Sequence, residues 1–310
     1  MQSNNSLSNR SELTNYSILS LDGGGAKGAF TLGVLKNLEN KIGAPLCDSF
    51  DAIYGTSTGA IIGAYLALGF SVDAIHESYM KIIPDVMSRW TAGARTSALR
   101  AAAYREFGTH DFNDVRCQLA IVATRCDLHQ PLIFKSSSKL AHSQHENFLP
   151  GFGVSLADCL LGSAAAAPFF QRQRLELKMA DGSTVTDVID GGFVANNPSL
   201  FALIDATTAL KIPQADIRLL SIGTGMFPSK QRISRAVANR LWPLSDTISL
   251  LEETLESTAN SADFLRKRLF PSAHTTRINP LLDKVDFCTD LLESDPKILK
   301  RMYEYGLKEI

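Results

Sequence analysis

The pentapeptide at residues 55–59, which reads Gly-Thr-Ser-Thr-Gly, constrains the fold of this chain more than any other feature. It follows the strand-like residues 50–54 and precedes the apolar run 60–68, which predicts a helix that is apolar on every face. A G-x-S-x-G pattern at a sharp strand-to-helix turn exposes its serine hydroxyl, and the N-terminus of the following helix favours negative charge there. We therefore predict that Ser57 is a nucleophile. The alternative is a turn of small residues that only packs a helix against a strand.

A second glycine turn occupies residues 22–28, which read Asp-Gly-Gly-Gly-Ala-Lys-Gly and follow the strand-like residues 17–21. Successive glycines at the head of a helix can direct several backbone N–H groups toward one point, as the oxyanion of a tetrahedral intermediate requires. The same stretch also matches the G-x-G-x-x-G pattern of dinucleotide-binding proteins. Such proteins need an acidic residue at the end of the second strand, whereas Asp48 and Asp51 lie at its beginning. A dinucleotide-binding oxidoreductase using Gly23 to Gly28 is therefore the weaker enzyme alternative.

An aspartate followed by two glycines, Asp190-Gly191-Gly192, comes directly after the β-branched run 185–189. At the end of a strand, such a side chain can approach another loop closely, although by itself it also suits a turn cap. Together with the two glycine turns, it is predicted to be the base that activates Ser57. His274 is the only histidine after Asp190, so a Ser57–Asp190–His274 triad in the order of the α/β-hydrolases also stays open.

Strand and helix patterns alternate along most of the chain. Further strands are predicted at residues 118–124 and 217–222, and helices near 155–165 and 198–210. This alternation predicts an α/β fold with a mainly parallel central sheet and helices on both faces. Beyond Gly225 a basic segment precedes a long helical pattern at 245–270, and residues 277–279 could add a last strand before a C-terminal helix.

The composition excludes several other classes of protein. The 31 basic and 32 acidic side chains nearly balance, so no overall field attracts nucleic acid. No apolar run approaches the ~18 residues of a membrane-spanning helix, and the polar residues 1–15 lack the apolar core of a secretory signal. The five scattered cysteines form no disulfide or metal-binding pattern. We expect a cytoplasmic protein without a metal or another cofactor.

In order and context, the three motifs resemble those of the patatin-like phospholipases, lipid acyl hydrolases with a Ser-Asp dyad. The resemblance covers residues 16–225 and includes the small-residue segment 163–170, Ser-Ala-Ala-Ala-Ala-Pro-Phe-Phe, ahead of the aspartate. It implies the three-layer patatin-like fold for a catalytic domain (16–225). The polar residues 1–15 predict a disordered tail, and the change of composition beyond Gly225 predicts a helical extension packed on the catalytic domain (226–310). The site residues it implies are the nucleophile Ser57, the base Asp190, and the oxyanion-hole backbone of Gly23, Gly24 and Gly25.

The resemblance also implies a function. It predicts cleavage of the acyl esters of membrane phospholipids by a protein that is peripheral to the membrane when active. Some bacterial members resemble effectors of antiphage defence that a cyclic oligonucleotide switches on, so a cyclic di- or oligonucleotide activator and a homo-oligomer are the further partners expected. The basic residues Lys230, Arg232, Arg235 and Arg240, with Trp242, could contact lipid headgroups or a nucleotide phosphate, or form a solvated helix face. A catalytically inactive binding protein stays open as a third class.

Overall fold

Eight strands share one mixed sheet in the computed structural model, which describes residues 15–142, 148–179, 182–228 and 243–309. The strands are β1 (Tyr16–Leu21), β2 (Ala52–Thr56), β3 (Gln118–Arg125), β4 (Gln130–Lys135), β5 (Gln173–Met179), β6 (Gly182–Asp190), β7 (Ile217–Ile222) and β8 (His274–Ile278). Their order is β5-β6-β3-β2-β1-β7-β8, with β4 also paired to β3. Strands β3, β2, β1, β7 and β8 run parallel, whereas β4 and β6 pair antiparallel with β3, and β5 with β6.

Helices cover both faces of this sheet. Those of the described ranges are α1 (Gly28–Ile42), α2 (Thr58–Ala67), α3 (Val72–Met87), α4 (Ala92–Phe107), α5 (Leu156–Ser163), α6 (Gly192–Ala195), α7 (Ser199–Ile204), α8 (Pro243–Leu269) and α9 (Pro296–Gly306). Successive residues of a strand face opposite sides. Leu19 of β1 accordingly joins the core beneath α1 to α5, and Ile18 the smaller core beneath α7. The predicted mainly parallel α/β fold is confirmed.

The register of β3 brings the ends of two other strands together. Val122 pairs with Thr56, the last residue of β2, and the next residue, Ala123, pairs with Asp190, the last residue of β6. Strand β2 runs parallel to β3, and β6 runs antiparallel to β3. The carboxyl ends of β2 and β6 therefore meet beside adjacent residues of β3. Ser57 and Asp190, 133 residues apart in the sequence, therefore become neighbours.

Several elements differ from the sequence-based expectations. The second strand lies at Ala52–Thr56 rather than at 50–54, so it runs directly into the serine turn. The region beyond Gly225 supplies the long helix and the last strand that the sequence predicted, but β8 begins at His274, three residues earlier than expected, and extends the sheet parallel to β7. The predicted N-terminal tail (except Asn15) and the basic segment with Trp242 lie outside the described residues. Within the described ranges, no helix is both long and apolar enough to cross a bilayer.

Candidate active site

Ser57 lies at a strained turn between β2 and α2. Its backbone angles are φ 53° and ψ −122°, a region that side chains rarely occupy and that costs about 1–3 kcal/mol. The turn needs glycine on both sides of the serine: a Cβ on Gly55 would meet the Ala60 Cα at 2.5 Å, and one on Gly59 would meet the Leu21 carbonyl oxygen at 2.3 Å. The G-x-S-x-G pattern thus has a steric cause.

The hydroxyl of Ser57 donates a hydrogen bond of 2.6 Å from Oγ to Oδ2 of Asp190. The other carboxylate oxygen of Asp190 accepts the Gly192 N–H at 2.7 Å, which fixes the orientation of the carboxylate. Both side chains are buried, since Ser57 is 8% and Asp190 3% exposed. A carboxylate so close to a serine hydroxyl can accept its proton when the oxygen attacks an electrophile.

Burial raises the pKa of Asp190 from 3.8 to about 6, against the hydrogen bonds from Ser57 and Gly192, which lower it. The higher pKa makes the carboxylate a stronger base than an exposed aspartate, while it remains largely ionised near neutral pH.

The rate is therefore expected to fall on acidification. Asp190 can act as a base only when ionised, so kcat/KM for a short-chain ester should be lost as the pH drops through about 6 instead of through 3.8. A pH–rate profile from about pH 8 to about pH 4.5, with unfolding followed in parallel, measures this. A kcat/KM that stays constant from about pH 8 down to about pH 4.5 would contradict the assignment of Asp190 as the base.

The glycine turn after β1 lies beside Ser57, but its three predicted donors are not equivalent. The Gly23 N–H donates to the Asn196 carbonyl oxygen at 3.1 Å, so this group is already engaged. The N–H groups of Gly24 and Gly25 donate to no acceptor within the described ranges, and both residues line the cavity that contains Ser57. Of the three predicted oxyanion donors, the N–H groups of Gly24 and Gly25 are thus the ones without an acceptor among the described residues, and the oxyanion hole itself stays a prediction.

Ser163 supports both halves of the Ser57–Asp190 pair. Its hydroxyl accepts the Ser57 N–H at 2.9 Å and donates to the Val122 carbonyl oxygen at 2.6 Å, while its own carbonyl oxygen accepts the Gly191 N–H at 3.2 Å. The sequence showed this residue only as the start of a small-residue segment, because the pattern carries no sign of these long-range bonds.

The glycine turn is anchored from the C-terminal part of the chain. Asp22 is buried and accepts two hydrogen bonds from the guanidinium of Arg277 on β8, at 2.8 and 2.5 Å. Lys27 is also buried, and its ammonium lies 3.2 Å from Glu252 of α8. Glu252 in turn accepts the Leu291 N–H at 2.9 Å. The cation at position 27 thus holds α8 against the turn.

A cavity lies beside Ser57 and Asp190. Its lining is mostly apolar and includes Leu251 and Leu255 of α8, so this helix covers the serine on one side. A mostly apolar cavity with a few polar groups at one end suits a substrate that has a long hydrocarbon part and one reactive group. Within the described ranges, no three metal-ligating side chains cluster.

His274 lies away from this site. It is exposed at the start of β8. His274 pairs with Arg218 of β7, and Arg218 pairs with Ser17 near the start of β1. Ser57 follows the carboxyl end of β2 and Asp190 is the last residue of β6, so His274 lies toward the other end of the sheet. The Ser57–Asp190–His274 alternative is therefore wrong.

This chain is similar to several known proteins. A family model described as Patatin-like phospholipase matches residues 19–203. A cUMP-AMP-activated phospholipase from Escherichia coli is 43% identical over 308 residues, which cover 97% of this chain and 94% of that protein. A cGAMP-activated phospholipase from Vibrio cholerae serotype O1 is 30% identical over 67% of this chain and 63% of its own length, so this chain spans less than two thirds of that relative. The solved structure of VipD from Legionella pneumophila is 13% identical, with a TM-score of 0.48 over 96% of this chain and 66% of that one.

Proposed function

The chain belongs to the patatin-like phospholipases, and from that premise we propose that it hydrolyses phospholipid acyl esters with Ser57 as nucleophile and Asp190 as base. The predictions of the family, of its three-layer fold and of a lipid acyl hydrolase are confirmed, and the dinucleotide-binding oxidoreductase is not supported. The observation that carries the assignment of the two residues is the 2.6 Å hydrogen bond from Ser57 Oγ to Asp190 at the strained turn.

In the first half of the reaction, Asp190 takes the proton of Ser57 while Oγ attacks the ester carbonyl carbon. The oxyanion that forms accepts hydrogen bonds from the N–H groups of Gly24 and Gly25, which have no acceptor among the described residues. Collapse of this intermediate breaks the ester C–O bond, and the proton on Asp190 passes to the departing lysolipid oxygen. Ser57 then carries the acyl group.

In the second half, water replaces the lysolipid. Asp190 removes a proton from this water, whose oxygen attacks the acyl carbon, and a second oxyanion forms at the same two N–H groups. Its collapse returns the proton to Ser57 Oγ and releases the fatty acid. Asp190 thus acts as the base in both halves of the reaction. With a pKa of about 6, it is largely ionised near neutral pH and can accept the proton each time.

We further propose that a cyclic nucleotide controls this activity, that the protein works at the membrane surface, and that its role is antiphage defence. The support is the relative from Escherichia coli, whose name states activation by cUMP-AMP and whose similarity extends over nearly the whole of both chains. The relatives named for cGAMP match over a smaller part, so cUMP-AMP is the first candidate. The homo-oligomer stays a prediction.

Fatty-acid release from phospholipid vesicles is expected to depend on one nucleotide. The assay compares no addition with cUMP-AMP, cGAMP and other cyclic dinucleotides, and we expect the largest rate with cUMP-AMP. Ser57→Ala, assayed with the same nucleotides, is the control for contaminating lipases. Equal release with and without every nucleotide would contradict the proposed control and leave a constitutive hydrolase.

A further inference from the structure

The most exposed apolar side chains of the described residues lie on the side of the molecule that holds Ser57. Trp90 is 90% exposed, Leu250 66% and Leu281 64%, and no other large apolar side chain in the described ranges exceeds them. Leu250 precedes Leu251, which lines the cavity beside Ser57. Leu281 follows the carboxyl end of β8, at the sheet edge where β2 also ends. Because each exposed apolar group forgoes the free energy of burial, such a grouping indicates a contact surface.

Helix α3 extends past the glycine turn on this side. It begins near the end of α1, where the Val72 N–H donates to the Glu39 carboxylate at 2.9 Å. Halfway along α3, the Tyr79 hydroxyl donates to the Gly25 carbonyl oxygen at 2.8 Å, so the helix has reached the glycine turn there. Met87, at the end of α3, lies eight residues or about 12 Å of helix farther on.

Trp90 lies in the turn that joins this end of α3 to α4. Ile83 and Met87 of α3 line the cavity beside Ser57, and Leu99 of α4 lines it again as the chain returns. The two helices thus form one wall of the cavity. Trp90 is three residues beyond Met87, between the helices, and therefore lies at the outer rim of that wall.

The same turn carries a cation without a carboxylate partner. The stretch between Asp85 and Glu106 contains four arginines and no acidic residue, and three of these arginines form salt bridges. Arg95, five residues after Trp90, forms none among the described residues, and its buried Nε has no hydrogen-bond partner there. Burial lowers the pKa of this guanidinium, and no carboxylate acts in the opposite direction. Arg95 thus suits an anion that another molecule supplies.

We propose that this rim docks on a phospholipid bilayer, with Trp90 inserted at the level of the headgroups and Arg95 bound to a lipid phosphate. The inference rests on the proposed function, because a membrane substrate is what brings the rim to a bilayer. A tryptophan ring favours the membrane–water interface, where its apolar body is covered and its N–H stays hydrogen-bonded. A guanidinium matches the geometry of a phosphate. Docking at the rim would place the cavity next to its substrate.

The first test follows the fluorescence of Trp90. The chain has two tryptophans, so Trp242→Phe leaves Trp90 as the only one, and Ser57→Ala in the same protein keeps the vesicles intact. With cUMP-AMP present, vesicles of phosphatidylethanolamine and phosphatidylglycerol should shift the emission to shorter wavelength, and lipids brominated near the headgroup should quench it. An emission that vesicles neither shift nor quench would overturn the inference. A shift without quenching by brominated lipid would also overturn it, because a protein surface would then cover Trp90.

The second test compares fatty-acid release from these vesicles with hydrolysis of soluble p-nitrophenyl butyrate. Trp90→Ala is expected to lower the vesicle-to-butyrate ratio of rates at least about tenfold, since burial of one large apolar side chain contributes that much to binding. Trp90→Phe should lose less. Ile42→Ala is the matched control and should keep the wild-type ratio, because Ile42 is exposed at the far end of α1, about 20 Å of helix from the glycine turn.

Arg95→Gln should lower the same ratio about fivefold, as expected for one basic group at an anionic surface. Arg105→Gln is its control, since Arg105 lies on the same helix but pairs with Glu106. An unchanged ratio in Trp90→Ala and Arg95→Gln, or an equal fall in Ile42→Ala, would overturn the inference. Failure of the proposed function looks different: wild type and Ser57→Ala would then release fatty acid equally or not at all, whereas the fluorescence of Trp90 still reports membrane contact.

Discussion

Asp190→Asn is expected to lower fatty-acid release by about 10⁴-fold, the scale seen when the carboxylate of a serine hydrolase centre becomes an amide. The carboxylate of Asp190 is the partner of the Ser57 hydroxyl, at 2.6 Å, and an amide of nearly the same shape cannot accept a proton. Since the side chain is 3% exposed, water would not easily replace it as base.

The measurement is the rate of fatty-acid release from vesicles with cUMP-AMP present, together with the urea midpoint of each variant. Asp187→Asn is the matched control, because Asp187 lies on the same strand, β6, but is exposed. It should retain the wild-type rate. An Asp190→Asn variant that is folded and keeps a tenth or more of the wild-type activity would exclude Asp190 as the base.

Gly24→Ala is expected to cause the second largest loss, about 100- to 1,000-fold in kcat, as when an oxyanion donor is removed. A Cβ on Gly24 would lie 2.4 Å from Thr224 Oγ1 and 2.8 Å from Thr224 Cβ, so the turn would have to move. The N–H groups of Gly24 and Gly25 would then no longer point at the position of the oxyanion.

A second substitution separates this steric effect from a general loss of folding. Thr224→Gly removes the atoms that the new methyl group would meet, so Gly24→Ala with Thr224→Gly should recover part of the rate. Gly93→Ala is the control, since a Cβ there meets nothing closer than 3.5 Å. If the double variant is as inactive as Gly24→Ala although both are folded, displacement of the turn by Thr224 is not the cause.

The sequence singles out the proposed nucleophile and base because each lies in a local pattern. Ser57 lies in a five-residue pattern between a strand and a helix, and Asp190 ends a strand before two glycines. The local pattern could not predict the pairing register that joins them, which depends on Val122 and Ala123 of a third strand. The order of the motifs in the resembled family supplied that step.

The surroundings of the site could not be predicted because they depend on contacts between distant residues. Arg277 bonds to Asp22 across 255 positions, and nothing near either residue indicates the other. A run of glycines likewise gives no sign that the Gly23 N–H donates to the Asn196 carbonyl oxygen, so the sequence could not distinguish Gly23 from Gly24 and Gly25.

Covalent labelling of the wild-type protein by a fluorophosphonate, followed by peptide mass mapping, tests the nucleophile most directly. The hydroxyl of Ser57 should carry the phosphonyl group, with labelling abolished in Ser57→Ala and strongly slowed in Asp190→Asn. Labelling of another residue at the same rate in wild type and Ser57→Ala, under conditions in which the wild type releases fatty acid, would show that Ser57 is not the nucleophile.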